Sequence, residues 1–315
     1  MAPYIEVRSL RKHFGSVIAV DDISFSVDKG EVLGFLGPNG AGKSTTMKMV
    51  TGFLPATGGT AIVCGHDIRN EPIAAKRRFG YLPEGAPLYG DMTPEGFLDF
   101  VCRVRRMPRH ERKIAVERAV ERMGLGEVLH RRIETLSKGF RRRVGLAQAI
   151  IHDPDVLILD EPTDGLDPNQ KFQVRELIKS MGDSKAIIIS THILEEVDAV
   201  CDRAIIIDHG RIVSDGTPTQ LHARSPEYNA VSMTISKDDV ERAVALFKAL
   251  PEVVAVDQNN KTAQSVALLV RPRNGQFIAD LIAQTVRDNN IVVTDLHAEV
   301  GKLDDVFRAV TTTNA

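Results

Sequence analysis

The chain has 315 residues, of which 43% are hydrophobic and 26% charged, and its formal net charge is −2. That length has room for two domains, or one large domain with an appendage; the composition is that of an ordinary soluble globular protein, and the small net charge excludes a molecule that binds polyanions as a whole. Cys64, Cys102 and Cys201 lie far apart with no C-x-x-C pair, so a reducing cytosolic setting is expected rather than a zinc site or disulfide framework.

The N-terminus lacks the apolar core of a signal peptide. The longest apolar runs, such as Val156–Leu159 and Ala204–Ile207, are strand length and fall well short of the roughly 20 residues of a membrane span. Any membrane role is expected to come through a partner.

In chain order, Ile5–Arg8 and Ile23–Val27 alternate apolar and polar residues and read as half-buried strands. Between them, Arg11–Gly15 reads as a turn whose one aromatic is Phe14. A base could stack on Phe14, or the ring could simply pack its loop. Lys29-Gly30-Glu31 then turns into the apolar strand Val32–Leu36.

Gly37-Pro38-Asn39-Gly40-Ala41-Gly42-Lys43-Ser44 follows, with Thr45-Thr46-Met47 entering a helix. This satisfies G-x-x-x-x-G-K-[ST], in the strand–loop–helix context that the pattern requires. Glycines let successive N–H groups turn around a polyphosphate at a helix N-terminus, where the dipole favours an anion. Lys43 adds a point charge toward the outer phosphates, and the Ser44 hydroxyl suits Mg²⁺, which prefers oxygen ligands. An ordinary glycine-rich turn is the alternative, and the Lys-Ser pair in register argues against it.

Phe79–Leu82 forms a strand ending at Pro83-Glu84, where Glu84 is either a surface carboxylate or a group facing Mg²⁺ or the attacking water. Thr93-Pro94 opens a helical stretch, with Thr93 as cap and proline at the first position. Between Val101 and Gly145 there are 14 Lys/Arg against 5 Asp/Glu, a local +9. That island reads as a solvated helical face or as a nucleic-acid footprint, and it holds a single aromatic, Phe140. Ser137, in Leu136-Ser137-Lys138-Gly139-Phe140, sits where it can cap the following helix; the same Ser/Gly start could also bind an anion.

Val156–Leu159 is fully apolar and ends in Asp160-Glu161-Pro162, as expected for a central parallel strand covered on both faces. Two adjacent acids at a strand end repel unless a cation or a catalytic role keeps them there; a turn with solvated acids is the alternative. Asp160 suits Mg²⁺ and Glu161 suits polarising a water. Asp164-Gly165-Leu166-Asp167-Pro168 turns into a helix. Ala186–Ile189 repeats the apolar strand and ends at Ser190-Thr191-His192, where His192 either contacts a phosphate or water or serves as a packing residue. From about residue 226 strands and helices alternate (230–235, 238–250, 253–256, 266–270, 275–286, 291–294, 303–310), in the order of a split βαβ, ferredoxin-like unit without clustered catalytic residues.

Taken in order, the phosphate loop, Leu82-Pro83-Glu84, Leu136-Ser137-Lys138-Gly139, Leu159-Asp160-Glu161-Pro162, Asp164-Gly165-Leu166-Asp167 and Thr191-His192 resemble the ATPase subunit of an ATP-binding cassette (ABC) transporter. The Tyr81–Glu84 wording and the C-terminal segment resemble its ABC-2 export branch. The resemblance implies an α/β P-loop NTPase of ABC type at 1–220. That fold has a mainly parallel core sheet, an antiparallel β subdomain and a helical subdomain at about 90–150, and an α+β accessory domain follows at 226–315.

By resemblance, Phe14 stacks on adenine, and Gly37, Pro38, Asn39, Gly40, Ala41, Gly42, Lys43, Ser44, Thr45 and Thr46 hold the phosphates of ATP. Ser44, Glu84 and Asp160 serve Mg²⁺, Glu161 is the general base and His192 the switch histidine. Ser137 and Gly139 contact the ATP of a second copy, and Asp167 communicates across that homodimer. Glu84 stands where many members have Gln, and Lys138 and Phe140 replace a Gly and a Gln. Separate integral membrane permease subunits are the implied partners, placing the protein at the cytoplasmic face of the cell membrane. A soluble ABC ATPase acting on nucleic acid or ribosomes is the other reading; a single cassette without long heptad insertions counts against it, and a regulator without turnover is disfavoured because Lys43, Asp160, Glu161 and His192 are all present.

Overall fold

The computed structural model describes residues 2–261 and 264–312. The chain divides between Pro218 and Thr219 into two compact units.

The first unit begins with β1 (Ile5–Phe14), β2 (Val17–Val27), β3 (Val32–Leu36), α1 (Lys43–Val50), β4 (Gly58–Val63), β5 (His66–Asp67), α2 (Pro72–Arg78) and β6 (Phe79–Leu82). The helical stretch follows as α3 (Pro94–Val104), α4 (Arg109–Met123) and α5 (Lys138–Ile150). It closes with β7 (Val156–Asp160), α6 (Pro168–Gly182), β8 (Ala186–Thr191), α7 (Leu194–Val200), β9 (Arg203–Asp208) and β10 (Arg211–Gly216).

Two sheets result. The first is antiparallel in order β2-β1-β4-β5; the second runs β10-β9-β3-β8-β7-β6, parallel from β9 through β6 with β10 antiparallel at its edge. Every residue of β3, β7 and β8 is buried, which is why these strands carry continuous apolar runs and not an alternating pattern. Phe25 of the first sheet meets Phe35 of the second with ring centroids 5.5 Å apart, within one shared apolar core. The architecture is the expected α/β class, with a mainly parallel core sheet and an antiparallel sheet beside it.

One expected turn is strand. Arg11–Phe14 belong to β1, pairing Lys12 with Val20, His13 with Ile18 and Phe14 with Val17. Register shifts along this pair, with Ser9 and Asp22 at positive φ, break the apolar alternation that would have marked a strand.

The second unit carries β11 (Val231–Ser236), α9 (Val240–Lys248), β12 (Val253–Lys261), β13 (Ser265–Pro272), α10 (Ala279–Asp288), β14 (Val293–Ala298) and α11 (Leu303–Thr312), after a short α8 (Pro218–His222) at the division. Its sheet is antiparallel in order β12-β13-β11-β14, the strand order of a split βαβ unit. Phe247, Met233, Leu268 and Ile282 anchor a separate core. The helix expected from Gly275 starts at Ala279, because Asn274 (φ 56) and Gly275 (φ 65) occupy the left-handed region and cannot open a right-handed helix. The last strand begins at Val293 because Ile291 packs into the core directly after Asn290, which is at positive φ.

Candidate functional site

Four neighbouring parallel strands, β3, β8, β7 and β6, end on the same edge of the second sheet. Beyond β3 lies the glycine loop, beyond β8 His192, beyond β7 Glu161, and beyond β6 Glu84. Open parallel sheets bind ligands beyond the carboxyl ends of their strands, so separate stretches of sequence converge where chemistry is expected.

The glycine loop leads into α1, whose N-cap Gly42 is left-handed at φ 106. A Cβ there would lie 2.6 Å from the Ala19 carbonyl, so both backbone conformation and space require glycine. Lys43 is 6% exposed, and its Nζ donates to the carbonyls of Gly37 at 2.7 Å and Pro38 at 3.1 Å. Its ammonium therefore arches back over the loop and is oriented before any anion arrives. Burial lowers its pKa, and the carboxylates of Glu161, Asp160 and Glu84 act against that shift. A cavity of about 280 Å³ is lined by Ala19, Asn39, Gly40, Gly42, Lys43, Ser44, Thr45, Glu84 and Glu161. Thr46 is absent from it: fully buried, it donates its hydroxyl to Gly42 O at 2.9 Å and braces the loop from behind.

Asp160 is fully buried at the end of β7. Its Oδ1 accepts from Ser44 at 3.2 Å and from Ser190, while Oδ2 is buried with no hydrogen-bond partner. A buried carboxylate oxygen without a donor is costly, and a cation beside Ser44 would relieve it. Among the described residues no group of three or more His, Cys, Asp or Glu side chains could hold a metal. Mg²⁺ fits such a site, because it binds nucleotides through one or two protein oxygens and completes its shell with phosphate and water.

Glu161 follows with φ 52, in the left-handed region that a non-glycine residue rarely occupies, a form of strain that clusters at functional sites. Its N–H donates to Ser190 O at 3.0 Å, and its carboxylate lies 2.8 Å from His192 Nδ1. Burial raises its pKa; the hydrogen bond and charge of His192, and the charge of Lys43, oppose that rise, and Asp160 adds to it. A carboxylate shifted toward a basic poise, with a histidine fixing its orientation, is suited to accept a proton or orient a water.

Ser137, Gly139 and Asp167 do not line this cavity. Ser137 caps α5, accepting from Phe140 N at 3.3 Å, and Asp167 caps α6, accepting from Gln170 N at 2.9 Å. Lys138 reaches Asp164 at 2.9 Å, and a Cβ on Gly139 would lie 2.5 Å from Gln170 Oε1, so the starts of α5 and α6 pack closely. Phe14, half exposed, is also outside the cavity, with Lys12 Nζ 4.9 Å above its ring.

Two residues escaped the sequence reading. Glu196, 4% exposed, accepts from Thr191 Oγ1 at 2.7 Å and from Thr163, tying the turn after Glu161 to the strand end before His192. Arg142, also 4% exposed, sits inside the basic island and is no part of a solvated face. Helical spacing held the signal: Arg142 falls on the stripe of Gly139, Leu146 and Ala149, all buried.

A family model described as "ABC transporter" matches residues 20–164. The linearmycin resistance ATP-binding protein LnrL of Bacillus subtilis is 36% identical over 74% of this chain and 75% of its own. The Nod factor export ATP-binding protein I of Ralstonia nicotianae is 33% identical over 98% of this chain and 94% of its own. Among solved structures, the dimeric post-hydrolysis state of the ATP-binding cassette MJ0796, bound to ADP and Pi, superposes with a TM-score of 0.63 over 68% of this chain and 98% of that one; at 20% identity it speaks for the fold. The chain belongs to the ABC transporter family as one of its ATP-binding subunits, an ATPase.

Proposed function

We propose that two copies of this chain pair head to tail around two Mg²⁺·ATP and drive separate membrane-spanning subunits, in the direction of export. One observation carries the reading. Lys43, Ser44, Asp160, Glu161 and His192 converge at one sheet edge, while Ser137 and Gly139 stand apart from that cavity and are left for another nucleotide. The dimer of the cassette MJ0796, bound to ADP and Pi, supports the pairing, and the Nod factor export relative supports the direction.

Phosphoryl transfer asks little covalent chemistry of the protein, so positioning and charge stabilisation dominate. Loop N–H groups and Lys43 hold the phosphate tail, and Ser44 and Asp160 would hold Mg²⁺. When bound, that ion neutralises charge on the phosphate oxygens. Glu161, steadied by His192, orients the attacking water and takes up its proton.

A second cavity, of about 810 Å³, has Phe53, Ile73, Phe79, Tyr81 and Val104 among its lining residues and shares Glu84 with the nucleotide cavity. It supports docking of a membrane partner beside α3, with Glu84 linking the two surfaces. Among the described residues no helix is long and apolar enough to cross a membrane, so attachment would run through such a partner. Two cations of the basic island are committed internally: Arg105 donates to the carbonyls of Lys76 and Phe79, and Arg142 to those of Pro162 and Pro83.

Affinity purification of the tagged chain from detergent-solubilised native membranes tests the reading. A multi-span membrane protein is expected to accompany it. Nucleic acid or ribosomal proteins with no membrane protein would overturn it.

A further inference from the structure

The guanidinium of Arg142 is buried, and its hydrogen bonds run to main-chain carbonyls of two separate turns. It donates to Asp160 O and Glu161 O through Nη2, to Pro162 O at 3.4 Å through Nε, and to Pro83 O at 3.2 Å through Nη1. Burying a guanidinium is expensive unless its donors and its charge are answered. Here the four carbonyls answer the donors; burial lowers the guanidinium's pKa, and the carboxylates of Asp164, Asp160, Glu161 and Glu84 offset part of that cost.

The acceptors bracket the reaction machinery. Glu161 holds a left-handed backbone, with its N–H bonded to Ser190 O and its carbonyl to Arg142. Pro83 directly precedes Glu84, which lines both cavities of the first unit described above. Arg142 itself rides on α5, the helix that Ser137 caps. One side chain thus joins three separate segments. A planar fork with five donors can hold several carbonyls in fixed directions, which a lysine ammonium cannot.

We propose that Arg142 is a positioning residue for ATP hydrolysis: it aims the Glu161 carboxylate by clamping the main chain around it, and ties that clamp to α5 and to the turn before Glu84. This rests on Glu161 being the residue that orients the water. Seating or shifting α5 then changes the aim of Glu161 without touching the phosphate loop.

The test uses the full chain carrying Arg142→Lys and, separately, Arg142→Gln, with steady-state ATPase kinetics, mant-ATP binding and thermal melting. A small misalignment of a catalytic group costs up to about 100-fold, so kcat should fall roughly 10- to 100-fold while KM and mant-ATP affinity stay within about twofold. In a Glu161→Gln background, Arg142→Lys should lower residual turnover by less than about twofold, because there is no carboxylate left to aim. Wild-type kcat in both variants would overturn the proposal, as would kcat and nucleotide affinity falling together. Failure of both variants to fold would also overturn it, making Arg142 a requirement of the fold alone. If Glu161→Gln itself keeps wild-type turnover, the reading of the site has failed; if Glu161→Gln is inactive and Arg142→Lys is fully active, only the role of Arg142 has failed.

Discussion

His192 Nδ1 lies 2.8 Å and 2.9 Å from the two carboxylate oxygens of Glu161, joining the residues that follow β7 and β8 beside the hydrogen bond from Ser190 to Asp160. The pair holds a buried acid in one orientation while leaving His192 half exposed. Because burial raises the Glu161 pKa, the folded state prefers its neutral form more than the unfolded chain does. The corresponding stability is present below the unfolded carboxylate range and is lost as pH rises through the raised folded value. Without nucleotide, Glu161→Gln should therefore melt higher than wild type at neutral pH, and the gap should narrow on acidification. Melting curves across pH check this; a lower melting temperature for the variant at neutral pH would contradict it.

Lys43 is expected to govern affinity more than turnover geometry, since its ammonium is already anchored on Gly37 and Pro38 carbonyls. Charge-assisted hydrogen bonds contribute about 1.5–3 kcal/mol, so Lys43→Ala should weaken ATP binding roughly 10- to 100-fold. Mant-ATP titration measures it.

The unpartnered Oδ2 of Asp160 predicts a defect specific to the metal. Asp160→Asn keeps an acceptor for Ser44 and Ser190 but removes the charge. The Mg²⁺ concentration for half-maximal mant-ATP response should rise about 10- to 100-fold, the range seen when groups supporting a metal are changed. Affinity measured in EDTA should stay near that of wild type. Equal losses with and without Mg²⁺ would contradict the assignment.

The second unit has its own core around Phe247, Met233 and Ile282. Residues 219–315 produced alone should fold and melt cooperatively, and a chain ending at residue 218 should still bind ATP. Circular dichroism of the two pieces and mant-ATP binding by the first decide the matter.

Much of this site was legible because each part has a short-range cause. Gly37–Ser44 needs glycine and lysine at fixed spacing, and Val156–Asp160 and Ala186–Thr191 are buried on both faces, so their apolar runs give way to polar residues only where the strands reach the candidate site. Arg142 and Glu196 were illegible for the opposite reason. Arg142 meets Pro83 and Glu161, and Glu196 meets Thr163, only through tertiary packing; the local Thr191–Glu196 bond alone does not mark a site. Counting Arg142 into a basic island hid its place on a buried helical stripe. Arg11–Phe14 was misread because a shifted register removes the alternation that marks a strand.

The most direct test of the whole account is light scattering coupled to size exclusion on Glu161→Gln, with and without Mg²⁺·ATP, alongside its ATPase rate. A lost general base costs about 10²- to 10⁴-fold, so turnover should drop by that order while ATP converts the variant from monomer to dimer. Wild-type turnover in the variant, or a monomer that binds ATP without pairing, would contradict the account.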